Sequence, residues 1–282
     1  MLIDPDSLAS LLATPEPPAV LDVRWALGDP HGREHYLAGH VPGAVYVDLE
    51  TELAAPASPA AGRHPLPAVA DLEAAARRWG IDDGRAVVAY DDVGGTSAAR
   101  AWWLLRWGGL TEVRLLDGGL TAWRAAGHPV ESGDIVPAPG DVRLRAGGMP
   151  TVDADGAASV ASSGLLLDAR AAERYRGEVE PVDPVAGHIP GAVSAPTTGN
   201  LAGDGRFLPP DELRARYARL GVASADRPVA VYCGSGVNAA HEVAALAEIG
   251  VQAALYPGSW SQWSNDPSRP VATGPEPSRE ES

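Results

Sequence analysis

The sequence contains one cysteine and no lysine among its 282 residues. A single cysteine cannot form an intramolecular disulfide and cannot build a cysteine-rich zinc site. Without lysine, the chain can neither form a Schiff base through a side-chain amine nor complete the phosphate-binding loop of a nucleoside triphosphatase. The seven histidines show no H-E-x-x-H spacing, and we therefore expect chemistry that needs no metal and no other cofactor.

Long apolar runs are also missing, since no segment approaches the roughly 20 residues that span a bilayer. The N-terminus lacks the basic and apolar regions of a secretory signal, which predicts a cytoplasmic location. The net charge is −15. Such an acidic chain is not expected to bind nucleic acid or an anionic membrane surface.

The two halves of the chain repeat four sequence blocks in the same order. The blocks are LDVR at 21–24 and LDAR at 167–170, GHVPGAV at 39–45 and GHIPGAV at 187–193, VVAYD at 87–91 and VAVYC at 229–233, and DGGLTAW at 117–123 and PGSWSQW at 257–263. This pattern predicts two copies of one unit of roughly 130 residues, an ordinary domain size. The predicted parts are an N-terminal domain at 1–133, a linker rich in proline and glycine at 134–151, a C-terminal domain at 152–275 and a polar tail at 276–282.

Each half alternates short apolar runs with amphipathic stretches. The predicted strands are 20–23, 87–90, 113–116, 165–168, 229–232 and 253–256, and the clearest predicted helices are 71–79, 97–107, 210–220 and 237–249. Alternation of strand and helix predicts an α/β fold in which each half is a parallel sheet flanked by helices.

The lone cysteine, Cys233, lies between a predicted strand and a predicted helix. Gly234 and Gly236 allow the backbone to curl so that successive N–H groups point inward, and Ser235 adds a hydroxyl donor. Such a loop at the positive end of a helix binds anions and favours a nucleophilic thiolate, or a persulfide built on it. The position at the carboxyl end of a parallel strand is also where α/β sheets bind ligands.

The alternative is that Cys233 is a buried core residue, as free cysteines often are. The first repeat holds Asp91 at the same place. A core position would not readily exchange cysteine for aspartate, whereas a solvent-facing loop position would. The comparison of the two repeats therefore favours the nucleophile.

The tandem repeat, the paired GHVPGAV and GHIPGAV blocks and the segment YCGSGVNA resemble the two-domain rhodanese family of sulfurtransferases. The resemblance implies two tandem rhodanese-like domains, with a catalytic C-terminal copy and an inactive N-terminal copy. Asp91 in place of the cysteine fits that division. The loop CGSGV is most similar to the 3-mercaptopyruvate sulfurtransferase branch, because thiosulfate-specific members carry basic residues there.

The resemblance also implies roles for individual residues. Cys233 is the catalytic nucleophile and Ser235 assists it, while the residues expected to bind substrate are Gly234, Gly236, Val237, Asn238 and Arg174. Arg174, in RYRG, matches the arginine that binds the substrate carboxylate, and the alternative is a surface arginine on a helix. A second arginine of some mercaptopyruvate enzymes is replaced here by Asp183.

Glu50 and His64 match an acidic residue and a histidine that the family places near the loop serine, from the N-terminal domain. With Ser235 they would polarise the substrate carbonyl or manage a proton. Glu50 stands where the family commonly has aspartate. The alternative is that both residues belong to an ordinary loop.

The loop chemistry bears on the sulfur donor. Thiosulfate is a dianion best held by cationic side chains, whereas the loop after Cys233 is uncharged. A carbonyl-containing thiol with one carboxylate suits neutral donors and one distant arginine better.

The predicted activity is therefore transfer of sulfur from 3-mercaptopyruvate to a thiol, to reduced thioredoxin or to cyanide, through a Cys233 persulfide and with release of pyruvate. Three alternative functions remain open at the level of the sequence. Thiosulfate:cyanide sulfurtransfer is the same chemistry with another donor, and a non-enzymatic sulfur-carrier module would need a protein partner. A phosphatase is disfavoured, because Ala239 stands where the phosphatase loop of a related fold has its arginine.

Overall fold

The computed structural model describes residues 1–222 and 227–275, and the predicted polar tail at 276–282 lies outside them. The chain divides into two compact units. Unit 1 comprises Met1–Ala55, Leu66–Met149 and Leu201–Phe207, and unit 2 comprises Pro56–Pro65, Pro150–Asn200 and Leu208–Ser282. Each unit therefore includes a short segment from the other half of the sequence.

The segment predicted as a linker, 134–151, groups with unit 1 up to Met149. Its backbone is held by hydrogen bonds to that unit. The Gly140 N–H donates to the Arg77 carbonyl at 2.8 Å, and the Arg145 N–H donates to the Gly108 carbonyl at 2.8 Å. This part of the chain is therefore packed on unit 1.

The strands of unit 1 are β1 (Leu2–Ile3), β2 (Ala19–Asp22), β3 (Val45–Tyr46), β4 (Val87–Tyr90) and β5 (Val113–Leu116), and its helices are α1 (Pro5–Leu12), α2 (Gly32–Ala38), α3 (Leu49–Glu52), α4 (Val69–Arg78), α5 (Ala98–Trp107) and α6 (Gly119–Ala125). Across the described residues, the strands pair in parallel in the order β1-β5-β4-β2-β3, with Leu21 of β2 opposite Ala89 of β4.

The strands of unit 2 are β6 (Leu165–Asp168), β7 (Val193–Ser194), β8 (Val229–Tyr232) and β9 (Ala254–Leu255), its α-helices are α7 (Ala154–Ser163), α8 (Ala172–Tyr175), α9 (Pro210–Arg219), α10 (Val237–Glu248) and α11 (Ser259–Trp263), and a 3₁₀ turn covers Thr197–Asn200. The strands that the structure describes here pair in parallel in the order β7-β6-β8-β9, with Leu167 of β6 opposite Val231 of β8. The predicted α/β class, with two parallel sheets flanked by helices, is confirmed.

The central strands of both sheets are short and apolar, and helices cover them on both faces. All four residues of β4 and all four of β8 are buried, as is typical of parallel sheets sandwiched between helices. The core of unit 1 includes Trp123, and that of unit 2 includes Trp260 and Trp263. The loop that follows the carboxyl end of β8 therefore starts from the packed core of unit 2.

The repeated GH-x-PGA blocks anchor to these strands. In unit 1 the Val41 N–H donates to the hydroxyl of Tyr90, the last residue of β4, at 2.9 Å. In unit 2 the Ile189 N–H donates to the hydroxyl of Tyr232, the last residue of β8, at 3.1 Å. The same contact in both units gives these blocks a structural role. Among the described residues, no helix is long and apolar enough to cross a membrane.

Candidate active site

Cys233 directly follows β8, and its thiol faces the loop that leads into α10. The side chain is buried, and its Sγ accepts hydrogen bonds from the N–H groups of Ser235 at 3.4 Å and Gly236 at 3.1 Å. Gly236 adopts a left-handed conformation with φ of 82°, which favours glycine. The curl expected from the glycines therefore forms, and the sulfur lies where backbone dipoles favour negative charge.

The first residues of α11 form hydrogen bonds with the backbone of the loop that begins at Cys233. The Cys233 N–H donates to Ser259 Oγ at 3.1 Å. The N–H groups of Trp260 and Ser261 donate to the carbonyls of Cys233 and Gly234, each at 2.9 Å. Because both carbonyls are engaged, the N–H groups of the loop keep their orientation toward the sulfur.

Ser235 and His64 form a buried polar pair in unit 2. Ser235 Oγ lies 2.7 Å from His64 Nδ1, and the residues are 6% and 4% exposed. The segment that carries His64 is fixed to α11, since the Arg63 N–H donates to Ser261 Oγ at 3.0 Å. The hydroxyl of Ser235, two residues after the nucleophile, is thereby held by its hydrogen bond with His64.

Glu50, the third member of the predicted set, belongs to α3 of unit 1. Its Oε1 accepts a hydrogen bond from Trp25 Nε1 at 2.8 Å. A joint role of Glu50 with His64 and Ser235 stays a prediction.

Arg174 lies in α8 and is largely buried, with 15% of its side chain exposed. Its Nη2 donates to Glu180 Oε1 at 2.6 Å and to Asp183 Oδ2 at 3.2 Å. An ideal Cβ at Gly234 would lie 3.5 Å from Arg174 Nη1, so the guanidinium reaches the nucleophile loop. A solvated surface arginine does not describe this arrangement.

The carboxylates around Arg174 respond to it differently. Burial raises the pKa of Glu180, but the hydrogen bond from Arg174 and further donors outweigh this and hold the pKa below its usual value. Burial raises the pKa of Asp183 above its usual value, although Arg63 and Arg174 act in the opposite direction. Burial therefore disfavours the charged form of Asp183, and its two cationic neighbours favour that form.

Arg63 is a site residue that the sequence analysis missed. Its Nη1 donates to Asp183, and its Nη2 lies only 2.8 Å from an ideal Cβ at Gly234. The sequence predicts neutral donors and one distant arginine, whereas two guanidinium groups, of Arg63 and Arg174, approach Gly234 in the structure. Arg63 directly precedes the predicted His64, and that adjacency was the available signal.

Asp91 does not lie where the comparison of the two repeats predicts. The exchange of cysteine for aspartate predicts a solvent-facing position, but Asp91 is fully buried. Its Oδ1 accepts from the N–H groups of Val93 at 2.9 Å and Gly95 at 2.8 Å, and its Oδ2 accepts from those of Ser97 at 2.8 Å and Ala98 at 2.9 Å. Burial raises the pKa of Asp91, and these donors partly offset the rise.

Val237 and Asn238 are the first two residues of α10. Val237 is buried at 2% exposure, next to the curl at Gly236. Their contacts with substrate stay a prediction. Within residues 1–222 and 227–275, no group of three or more His, Cys, Asp or Glu side chains is arranged to hold a metal ion.

Comparison with known proteins relates both units to one domain type. The family model for the rhodanese-like domain matches residues 4–126 and again 154–266. The chain is 50% identical over 279 residues to the "Putative thiosulfate sulfurtransferase SseB" of Mycobacterium tuberculosis, covering 97% of each chain. It is 48% identical to the "Probable 3-mercaptopyruvate sulfurtransferase" of Pseudomonas aeruginosa, covering 97% of this chain and 98% of the other.

Among solved structures, the crystal structure of SseA from Escherichia coli, described as a 3-mercaptopyruvate sulfotransferase, matches with a TM-score of 0.82 at 34% identity. The match covers 92% of this chain and 98% of SseA. The similarity thus extends over both units and over nearly the whole of the related proteins.

Proposed function

Because this chain belongs to the rhodanese family and is a sulfurtransferase, we propose that it takes sulfur from 3-mercaptopyruvate onto Cys233 and passes it to an acceptor. The observation that carries the proposal is the buried Cys233 thiol cradled by two N–H groups, with the Ser235–His64 pair beside it. A thiolate supplies the nucleophile, and the hydroxyl–imidazole pair supplies a hydrogen bond for a carbonyl oxygen.

In the first half-reaction, the Cys233 thiolate attacks the sulfur of 3-mercaptopyruvate. A sulfur–sulfur bond forms while the bond between that sulfur and C3 breaks. The electron pair moves into the enolate of pyruvate, which takes a proton at C3. The N–H groups of Ser235 and Gly236 stabilise the negative charge on the resulting persulfide.

The Ser235–His64 pair can stabilise the enolate of pyruvate, which is the group that leaves. As the bond to C3 breaks, charge develops on the carbonyl oxygen of the donor. A hydroxyl already bonded to an imidazole can donate to that oxygen and pass a proton through the ring. Thiosulfate has no carbonyl and would gain nothing from this pair, which supports 3-mercaptopyruvate as the donor.

In the second half-reaction, an acceptor thiolate or cyanide attacks the outer sulfur of the persulfide and releases the Cys233 thiolate. The acceptors that fit this step are small thiols, reduced thioredoxin and cyanide. The order of the steps predicts ping-pong kinetics. No step requires a metal or an organic cofactor.

Thiosulfate is the second candidate donor, and Arg63 and Arg174 favour it. The two guanidinium groups near Gly234 can bind a doubly charged donor, although the loop itself is uncharged. One relative that is 50% identical carries the name of a thiosulfate enzyme. The donors share the persulfide and differ in the group that leaves.

Intact-mass spectrometry tests the proposal directly. We expect the wild-type protein to gain about 32 Da, one sulfur atom, after incubation with 3-mercaptopyruvate, and Cys233→Ser to gain none. Steady-state kcat/KM for the two donors, measured with a small thiol as the only acceptor, then separates the candidates. A higher value for thiosulfate would favour the second donor, and loading without turnover would favour a sulfur carrier.

A further inference from the structure

Arg63 does not use all of its hydrogen-bond donors. Only 27% of its side chain is exposed, and Nη1 donates to Asp183. Its Nε is buried and has no hydrogen-bond partner within the part of the chain that the structure describes. A buried donor without a partner is costly, so an unpaired guanidinium nitrogen beside the nucleophile loop indicates a place for an acceptor that the protein does not supply.

The unpaired nitrogen belongs to the side of the guanidinium that binds planar anions. Nε and Nη2 form one edge of the group, and this edge matches the two oxygens of a carboxylate. Nη2 lies 2.8 Å from an ideal Cβ at Gly234, the residue directly after Cys233. A molecule held on this edge would therefore lie beside the nucleophile.

Gly234 provides the space for this arrangement. Any side chain there would meet Arg63 Nη2 at 2.8 Å and Arg174 Nη1 at 3.5 Å from its first carbon. The first distance is closer than carbon and nitrogen normally approach, so a larger residue would displace the Arg63 guanidinium. The uncharged loop thus leaves room for a cation supplied by another segment.

Asp183 fixes the opposite end of the guanidinium. One of its oxygens accepts from Arg63 Nη1 and the other accepts from Arg174 Nη2 at 3.2 Å. Its side chain is 2% exposed, so the carboxylate is held in place. Asp183 engages Nη1, so the Nε–Nη2 edge is the part of the Arg63 guanidinium that this carboxylate does not use.

We propose that Arg63 binds the anionic group of the sulfur donor through its Nε–Nη2 edge, and that Asp183 positions Arg63 for this contact. The ligand chemistry is a small sulfur donor whose anionic group offers two oxygens that can accept hydrogen bonds side by side. In 3-mercaptopyruvate this is the carboxylate, and in thiosulfate it is a pair of oxygens of the sulfur that leaves as sulfite. The inference deepens the proposed function and rests on it.

The test compares Arg63→Gln with Arg63→Lys and with Arg214→Gln as the matched control. Arg214 lies in α9 of the same unit, has 55% of its side chain exposed and pairs with Asp211. Arg63→Gln should lower kcat/KM for the donor by about 10- to 100-fold, mainly through KM, because a charge-assisted bidentate contact is lost. Arg63→Lys keeps the charge without the paired donors and should recover part of the loss, and the control should match the wild type.

Binding of two product-like ligands separates anion recognition from a general disturbance. Pyruvate carries the carboxylate, whereas pyruvamide has the same shape without the charge. Measured by calorimetry, Arg63→Gln should weaken pyruvate binding by a similar factor and leave pyruvamide binding unchanged. An unchanged kcat/KM, or an equal loss for the two ligands, would overturn the inference.

A wrong sulfur donor and a missing Arg63 contact would give different results. If the wild type loads no sulfur from 3-mercaptopyruvate but loads it from thiosulfate, the proposed donor is wrong, and kcat/KM for thiosulfate then tests Arg63. If Arg63→Gln does not fold, as judged by its thermal midpoint, Arg63→Lys still carries the test. A full retention of pyruvate binding and of KM in the lysine variant would overturn the bidentate contact.

Discussion

Asp91 and Cys233 hold equivalent places in their units, and both side chains accept hydrogen bonds from the backbone of the loop that follows. Asp91 follows β4 and accepts four N–H groups, of which the shortest contacts are 2.8 Å. Cys233 follows β8 and accepts two, at 3.4 and 3.1 Å. The same loop design therefore holds an internal carboxylate in unit 1 and a reactive sulfur in unit 2.

The first prediction concerns stability. Asp91→Ala should lower the free energy of unfolding by about 3 kcal/mol, because four buried N–H groups lose their acceptor. Urea denaturation measures the change. Asp92→Ala is the matched control, since the neighbouring carboxylate is 37% exposed and pairs with Arg24 at 3.3 Å. A loss no larger than that of the control would show that the cradle does not depend on the carboxylate.

The second prediction separates donors by their need for the Ser235 hydroxyl. Ser235→Ala keeps the N–H that points at the Cys233 sulfur and removes only the group bonded to His64. We expect kcat with 3-mercaptopyruvate to fall by about 100-fold or more, and kcat with thiosulfate to change little, because thiosulfate has no carbonyl. Ser162→Ala, on α7, is the control. Equal losses with both donors would contradict a carbonyl-directed role.

The third prediction concerns the charge of Asp183. Asp183→Asn removes one negative charge from between Arg63 and Arg174 and leaves the site more positive. The ratio of kcat/KM for thiosulfate to that for 3-mercaptopyruvate should rise by about 10-fold, because the dianion gains more from the extra positive charge. Any displacement of Arg63 affects both donors and largely cancels in the ratio. Asp211→Asn, on the exposed face of α9, provides the control, and a constant ratio would contradict the prediction.

The fourth prediction concerns pH and a carboxyl away from the nucleophile. Glu242, in α10, is fully buried and accepts from Asn200 Nδ2 at 2.6 Å and the Tyr217 hydroxyl at 2.9 Å. Burial raises its pKa from the ordinary value of 4.5 to about 7. The folded state therefore binds a proton that the unfolded state has released, and stability from this group is lost as pH rises from 4.5 to about 7.

Glu242→Gln removes this titration while keeping the shape of the side chain. Relative to the wild type, its free energy of unfolding should improve by a few kcal/mol between about pH 5 and about pH 8. Urea denaturation at the two pH values measures the difference. Parallel pH profiles for the two proteins would show that the carboxyl does not titrate in this range.

Much of the fold could be predicted because it depends on local sequence patterns. The apolar runs that became β4 and β8 and the glycines around Cys233 act over a few residues, so their consequences follow from the chain itself. Arg63 could not be found in this way. It is 170 residues from Cys233 in sequence, and nothing in its neighbours fixes the direction of its side chain.

The sequence by itself determined that the protein has two repeats, that each is a parallel α/β unit, and that Cys233 stands at the carboxyl end of a strand. Tertiary structure alone decided which charges surround that cysteine. It brought Arg63 to Gly234, tied Arg63 and Arg174 to Asp183, and buried Asp91 in a cradle where exposure had been expected. The physical reason is that electrostatic surroundings depend on distances between segments, and folding alone sets those distances.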